Sequence, residues 1–185
     1  LIGFGAVTEE AAQFLEGLVA ARYNIFVSGG TNSGKTTFLN ALSSFIPRTE
    51  RVITIEDSAE LQISQVPNLV RLETRDANTE GKGQITTQPV NPGFAEDESG
   101  SDHRGRGKRR RGSGYVAAMN TGHPGSLSTG HSNSARDMLN RLELWFNGSR
   151  LPLEAVRSQI ASALDILVHL GRLGDGSRRY FPLWR

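Results

Sequence analysis

Residues 24–36 read NIFVSGGTNSGKT, and this stretch decides the fold. The segment 24–28 is a short apolar run of the kind that forms a buried strand. Gly29–Thr36 then follows the spacing G-x-x-x-x-G-K-[ST], in which glycines let the backbone curl its N–H groups around phosphate oxygens. A helix beginning at Lys35 would add the positive end of its dipole. A strand, a glycine-rich turn and a helix in this order predict a triphosphate site, the alternative being a turn that binds nothing.

The spacing also assigns roles to individual side chains. Lys35 is expected to reach the β- and γ-phosphates, and the Thr36 hydroxyl to ligate Mg²⁺. We therefore expect ATP and Mg²⁺ as ligands. The remaining nucleotide-binding positions of the loop and the first helical turn are Gly29, Gly30, Thr31, Asn32, Ser33, Gly34 and Thr37.

Helices and strands alternate along the rest of the chain. This alternation predicts an α/β fold with a mostly parallel sheet flanked by helices, closed by C-terminal helices and a hairpin that turns at 174–176. Hydrophobic periodicity and capping residues predict helices over residues 8–22, 35–45, 135–146 and 153–164, and strands over residues 24–28, 51–55, 69–73 and 166–170.

Length and composition set the remaining bounds. A chain of 185 residues is enough for one domain, and the absence of cysteine excludes disulfides and thiolate chemistry. No run of 18 apolar residues exists to form a membrane span. The first residue is Leu1, so we interpret the chain as a fragment, one partial P-loop domain over residues 1–185.

Two further motifs accompany the phosphate loop. Residues 53–60 read ITIEDSAE and place carboxylates at the end of a strand, and residues 119–133 read MNTGHPGSLSTGHSN and contain two histidines. With the phosphate loop, these motifs resemble the ATPases of type II and type IV secretion systems, and most of all the CpaF-like branch that assembles Flp/Tad pili. The resemblance also covers VRLETR, EGKGQIT, ARDMLNRLE and SQIASALDILVHLGRLGDGSRR.

The resemblance implies a RecA-like P-loop core and roles for particular residues. Glu56 would be the acid of the Asp box that orients the attacking water, supported by Asp57 and Glu60. In the His box, His131 and His123 would lie near the γ-phosphate and report its loss. Arg71 and Arg75 would neutralise phosphate charge, across a subunit boundary in one version. Ser132 departs from the alanine usual in the family.

Each of these roles has a structural alternative. Glu56 and Asp57 could cap an acidic turn, His131 could be a hydrogen-bonded structural histidine, and charged residues on an alternating strand are usually surface residues. The resemblance further implies a homo-hexamer that is cytoplasmic, peripheral to the inner membrane and attached to secretion or pilus platform proteins. The N-terminal domain that completes the family's nucleotide site is expected to be missing from this fragment.

Residues 87–115 do not fit the pattern. They contain six glycines and the basic run RGRGKRRRG but no five-residue apolar run, so we predict no buried strand there. Members of the family need an apolar Walker B strand ending in Gly-Glu between the two boxes, and by count Gly105 and Arg106 stand in that place. Outside this segment the basic and acidic residues are equal in number, so the segment carries the whole net charge of +2.

A shifted reading frame would explain a segment that keeps its length and loses its chemistry. If the codons of residues 97–115 are read one base later, they permit MNPDRIIVGEV, one further residue and GGEALDM, which restores the strand and its Gly-Glu. The end YFPLWR would permit VFPIME after the opposite shift. We therefore interpret residues 87–115 as frameshift-derived and disordered or irregular.

Three functions remain open from the sequence. The first is a hydrolysing ATPase motor domain for secretion or Flp pilus assembly. The second is a chain that binds nucleotide but hydrolyses it weakly or not at all, because Arg106 stands where the Walker B carboxylate should be. The third is a nucleic-acid-binding protein that uses the basic run, although the frameshift interpretation predicts no specific nucleic-acid partner.

Overall fold

The structure is a computed structural model that describes residues 1–56, 58–74, 94–95, 124–145, 151–172 and 178–183. After a short 3₁₀ turn at Ile2–Phe4, its helices are α1 (Glu9–Ala20), α2 (Lys35–Ser43), α3 (Ala135–Trp145) and α4 (Leu153–Ala163). Its strands are β1 (Ile25–Gly29), β2 (Arg51–Glu56), β3 (Asn68–Glu73), β4 (Phe94–Ala95), β5 (Leu127–His131), β6 (Ile166–Arg172) and β7 (Arg178–Leu183). The α/β class expected from the sequence is confirmed.

The strands form one sheet in the order β3-β2-β4-β5-β1-β6-β7. All pairs are parallel except the last, in which β7 runs antiparallel to β6. The strand that leads into the phosphate loop therefore lies inside the sheet, between β5 and β6. Ligands of such sheets bind at the carboxyl ends of the strands, which is where Gly29 and His131 stand opposite each other.

Helices cover both faces of the sheet and give two hydrophobic cores. On the face of α1 and α2, the buried side chains include Ile25, Val27 and Leu39. On the face of α3 and α4 they include Phe26 and Met138. Successive residues of β1 point to opposite faces, so a fully buried strand supplies both cores, and this fixes the position of the loop that follows it.

Helices α1 and α2 each end two residues before the predicted position, for local reasons. Helix α1 stops at Ala20 because Arg22 adopts a left-handed φ of 61°. Helix α2 stops at Ser43 because the next residues form tighter turns, in which the N–H of Phe45 bonds the carbonyl of Leu42 at 3.0 Å.

Strand β4 lies within residues 87–115, the segment in which the sequence predicts no buried strand. Phe94 and Ala95 pair with β2 on one side and β5 on the other. Without them, β2 and β5 would stand two strand spacings apart, about 10 Å, with unpaired edges. Backbone pairing requires no apolar run, so two residues are enough to bridge the sheet. The rest of the segment, including the run 104–111, lies outside the described residues.

The C-terminal hairpin was expected from the sequence, and its two strands are confirmed. Residues of β7 pair with β6 from Arg172 opposite Arg178 to Leu167 opposite Leu183, while the turn itself lies outside the described residues. β7 is an edge strand, which is where Pro182 can be tolerated in a sheet. Across the described part of the chain, no helix has the length and apolarity needed to cross a membrane.

Candidate nucleotide-binding site

Gly29 is the point where β1 turns into the phosphate loop, and only glycine fits there. A Cβ atom on Gly29 would lie 2.5 Å from Ser33 Oγ and 2.7 Å from the carbonyl oxygen of Leu170. Ser33 is buried, and within the described part of the chain its Oγ has no hydrogen-bond partner. The loop therefore folds back tightly over the end of β1, as a backbone cradle for phosphate requires.

The curl of the loop uses two left-handed residues. Asn32 has a φ of 59°, and Gly34, which precedes the first turn of α2, has a φ of 92°. Between them, the N–H of Ser33 donates to the carbonyl of Gly30 at 3.3 Å. Asparagine and glycine are the residues that adopt this conformation most readily, so the sequence itself favours this loop shape.

Lys35 is held inside the loop. Its side chain is largely buried, and Nζ donates to the carbonyl of Gly30 at 2.8 Å. The same Nζ lies 3.4 Å from Nδ1 of His131. The ammonium group lies at the start of a helix, where the helix dipole favours an anion. A charged acceptor would also bind it more strongly than the neutral Gly30 carbonyl does, so Lys35 is arranged to receive an anion.

The other predicted loop positions surround this lysine. Thr31 and Asn32 are exposed, Thr36 is half-buried and Thr37 is exposed on the first turn of α2. Among the described residues, no group of three or more histidine, aspartate or glutamate side chains could hold a metal. Magnesium commonly takes few protein ligands together with substrate phosphates, so a single hydroxyl donor at Thr36 fits it.

His131 stands at the end of β5, directly beside the loop. It is the register partner of Gly29, and the N–H of Ser132 donates to the Gly29 carbonyl at 3.3 Å. Arg141 of α3 donates from Nη1 to the His131 carbonyl at 2.6 Å. The structure therefore brings together Lys35 and His131, two of the three catalytic residues predicted from the sequence.

A cavity of about 270 Å³ opens beside the loop on the face of α3. Its lining consists of Gly30, Thr31, His131, Ser132, Asn133, Asp137 and Arg141. Ser132 contributes an Oγ that is buried and has no hydrogen-bond partner among the described residues. The cavity thus joins the phosphate loop, the His-box strand and a helix in one polar space.

Glu56 lies at the end of β2 and is buried, with 1% of its surface exposed. Its Oε2 accepts the N–H groups of Glu60 at 2.7 Å and Leu61 at 2.9 Å. β2 is three strand positions from β1, about 14 Å at the usual spacing, so the structure does not bring Glu56 against Lys35. Its carboxylate organises the following loop, and Glu60 itself is exposed.

That loop is attached to the helix of the phosphate site. The Asn40 side chain of α2 accepts the N–H of Gln62 at 2.8 Å and donates to the carbonyl of Glu60 at 3.5 Å. Gln65 donates from Nε2 to the carbonyl of Ser43. The segment that follows β2 is therefore hydrogen-bonded to α2, although β2 itself lies three strand positions from β1 in the sheet.

Arg71 contacts the same loop instead of the phosphate loop. Its guanidinium donates to the carbonyls of Leu61 at 2.6 Å and Ile63 at 3.3 Å. It lies on the edge strand β3, four strand positions from β1, about 19 Å. Within one chain it does not approach Lys35. Asp57, Arg75 and His123 lie outside the described residues, as do Gly105 and Arg106.

His169, to which no sequence motif assigned a role, lies on β6 beside the strand that leads into the phosphate loop. Its Nδ1 lies 3.0 Å from Oγ of Ser28, its register partner on β1. Burial lowers the pKa of His169 below its ordinary 6.5, against the opposing effects of the Asn133 backbone and the charge of Asp137. A histidine inside the apolar run ILVHL was the available signal.

These features define a class of protein. A parallel sheet that presents a glycine-rich loop, a buried lysine and a helix start at its carboxyl edge is a P-loop nucleotide-binding core. Comparison with known proteins agrees with this class and narrows it, because the family of type II/IV secretion system proteins matches residues 1–89.

Individual relatives extend the match to nearly the whole chain. The conjugal transfer protein TrbB of Rhizobium radiobacter is 35% identical over 93% of this chain and 51% of its own length. The type IV secretion system protein PtlH of Bordetella pertussis is 35% identical over 90% of this chain and 50% of its own. The chain therefore belongs to the type II/IV secretion system protein family, and it spans about half the length of these relatives.

A solved structure confirms the RecA-like core that the resemblance implied. The VirB11 ATPase of the Brucella suis type IV secretion system, in complex with sulphate, superposes with a TM-score of 0.74 at 26% identity. The match covers 98% of this chain and 54% of that one. The family and fold expected from the three sequence motifs are thus confirmed.

Proposed function

We propose that the chain binds MgATP at Gly29–Thr36 and is the nucleotide-binding motor domain of a secretion or Flp pilus assembly ATPase of the CpaF-like branch. One observation carries this proposal: the Lys35 ammonium is buried in a loop that only glycine can form at Gly29, with His131 3.4 Å from it. Membership of a family that contains the VirB11 ATPase supports the same activity.

The side chains around the loop suggest a division of labour. Lys35 would exchange the Gly30 carbonyl, 2.8 Å away, for the terminal phosphate oxygens. Thr36 would hold Mg²⁺, whose charge offsets that of the phosphates when it is bound. His131 would lie near the γ-phosphate through its contact with Lys35. Positioning and electrostatics of this kind account for most of the catalysis in phosphoryl transfer.

Glu56 is the proposed water-orienting acid, and its surroundings describe how it would act. The two N–H groups that bond Oε2 fix the carboxylate at the end of β2, and Asn40 ties the next residues to α2. A change in α2 on nucleotide binding would therefore be transmitted to the Asp box. Asp57, Glu60 and His123 remain candidates for supporting roles.

A second candidate function is nucleotide binding with weak or absent hydrolysis. It rests on the sequence SDHRGRGKRRRG at residues 101–112, where the family requires an apolar strand and Gly-Glu. The strand position between β2 and β5 is filled by the two residues Phe94 and Ala95. For this chain we propose the second function: it binds nucleotide but hydrolyses it weakly or not at all, because the carboxylate needed for turnover is missing.

The proposed assembly is a homo-hexamer on secretion or pilus platform proteins, peripheral to the inner membrane on its cytoplasmic side. The relatives are about twice as long as this chain. We propose that their additional length includes a domain that completes the nucleotide site between neighbouring subunits. Arg71 and Arg75 could then serve a neighbouring subunit's phosphates, since Arg71 does not reach its own.

Nucleotide retention by the full chain tests the proposal. We expect a fluorescent ATP analogue to bind in the presence of Mg²⁺ and the variant Lys35→Met to lose that binding. Arg48→Met is the matched control, because Arg48 is also a long cation but is exposed and lies beyond the end of α2. Equal binding by wild type and Lys35→Met, with both folded, would refute the proposed function.

A further inference from the structure

Arg141 connects helix α3 to the end of β5 at the point nearest the phosphate loop. Its Nη1 donates to the His131 carbonyl at 2.6 Å, a short contact for a charged donor. The arginine is half-buried and ten residues beyond its acceptor in the chain, so it spans the whole turn between β5 and α3.

The acceptor of this bond is the residue that meets Lys35. His131 places Nδ1 3.4 Å from Lys35 Nζ, and the next residue bonds the Gly29 carbonyl through its N–H. Arg141 also lines the same cavity as Gly30 and Thr31. One side chain of α3 therefore fixes the backbone of His131 while bordering the loop that His131 contacts.

We propose that Arg141 is a positioning residue that holds His131 against the terminal-phosphate end of the loop, and so enables the site to distinguish ATP from ADP. The proposal rests on the proposed function, since it assumes a nucleotide in the loop. A lysine at this place in a P-loop contacts the β- and γ-phosphates. ADP lacks the γ-phosphate, so a displaced His131 weakens ATP binding and leaves ADP binding almost unchanged.

The variants follow from the bond itself. Arg141→Met keeps much of the stem and removes the donor, whereas Arg141→Lys keeps a cationic donor within reach of the His131 carbonyl. Arg136→Met is the control on the same helix, because Arg136 is exposed. Dissociation constants for ADP and for a non-hydrolysable ATP analogue, both with Mg²⁺, are measured for each full-length chain by titration calorimetry.

Loss of a hydrogen bond to a charged group is expected to change an equilibrium constant that depends on it by about tenfold. We expect Arg141→Met to bind the ATP analogue about tenfold more weakly with ADP affinity within about twofold of wild type, Arg141→Lys to restore most of the loss, and Arg136→Met to behave as wild type. A merely structural arginine would lower the melting temperature without changing the ratio of the two affinities.

Three results overturn the inference: an unchanged ratio in Arg141→Met, an equal loss of both nucleotides, or a loss that Arg141→Lys does not relieve. If Arg141→Met does not fold, Arg141→Gln, whose shorter side chain carries no charge, is compared with wild type instead, and an unchanged ratio of the two affinities overturns the inference as well. Failure of wild type to bind either nucleotide would instead refute the proposed function, so the two failures are distinguishable.

Discussion

Lys35 Nζ lies 3.4 Å from His131 Nδ1, although 96 residues separate them in the chain. The contact exists because β1 and β5 are adjacent and parallel, with Gly29 and His131 at the same register position. A loop that begins after Gly29 and a side chain at the end of β5 must then meet at one edge of the sheet. The contact between Lys35 and His131 is a consequence of strand order.

Gly29→Ala should damage this edge of the sheet. The added Cβ would lie 2.5 Å from Ser33 Oγ and 2.7 Å from the Leu170 carbonyl, and overpacking of this kind costs about 1–3 kcal/mol. We expect a lower free energy of unfolding in urea together with weaker ATP binding. Gly17→Ala in α1 is the control, since a Cβ there meets no atom of the described residues within 4 Å. We expect this variant to be neutral or slightly stabilising. Similar stabilities for the two variants would contradict the tight loop.

The carboxylate of Glu56 should contribute to stability whatever its part in hydrolysis. Its Oε2 accepts two backbone N–H groups in a buried position, and bonds to a charged acceptor are stronger than neutral ones. We expect Glu56→Gln to lower the free energy of unfolding by about 2 kcal/mol. Glu60→Gln, at an exposed side chain, should change it by less than about 0.5 kcal/mol.

The two roles of Glu56 can be separated by measuring turnover beside stability. Because this chain is proposed to hydrolyse weakly or not at all, turnover is compared in a chain whose residues 97–115 carry the shifted-frame sequence. If Glu56→Gln in that chain unfolds at the same urea concentration as its parent but hydrolyses more slowly, the structural role is wrong and the water-orienting one is supported. If Glu56→Gln loses stability but keeps its rate of ATP hydrolysis, the acidic turn is the better description. Both measurements use the folded chain at one pH.

Much of this architecture was predictable because it is local. The shape of the phosphate loop is encoded by its glycine spacing and by the left-handed residues Asn32 and Gly34. Strands β1 and β6 are each encoded by a short apolar run of their own. What the sequence did not predict depends on strand neighbours: Ser28 meets His169 across β1 and β6, and Arg71 meets the loop at Leu61 from the sheet edge. Strand order is a property of the whole fold.

Strand β4 was not predicted from the sequence, for a related reason. An apolar run was required as the signal of a strand, yet Phe94–Ala95 pairs through its backbone with β2 and β5. The N–H groups of Glu60 and Leu61 that bond Glu56 likewise carry no signal in a sequence pattern, so the acidic turn could be stated only as an alternative to the water-orienting role.

His169 should make the fold sensitive to mild acid. Burial lowers the pKa of its imidazole from the ordinary 6.5, and Asp137 and the Asn133 backbone oppose this only in part. Below pH 6.5 the unfolded chain therefore binds more protons than the folded chain, so the free energy of unfolding falls as the pH falls. Urea titrations between pH 7.5 and 5 should show the wild-type advantage over His169→Gln shrinking toward acid pH. An advantage that is constant or grows over this range would contradict the burial of a neutral imidazole.

Restoring the proposed Walker B segment should restore turnover. The variant replaces residues 97–115 with the sequence permitted by the shifted frame, MNPDRIIVGEV, one residue and GGEALDM, which puts glutamate at position 106 in place of Arg106. A carboxylate that assists proton transfer and positioning contributes about 10²-fold or more, so we expect at least that increase in ATP hydrolysis. ATP affinity should change little, because Lys35 and Gly29–Gly34 remain unaltered. The control carries the same replacement with glutamine at position 106 and should stay as slow as the original chain. Equal hydrolysis by the original and replaced chains would show that residues 97–115 already supply what turnover requires.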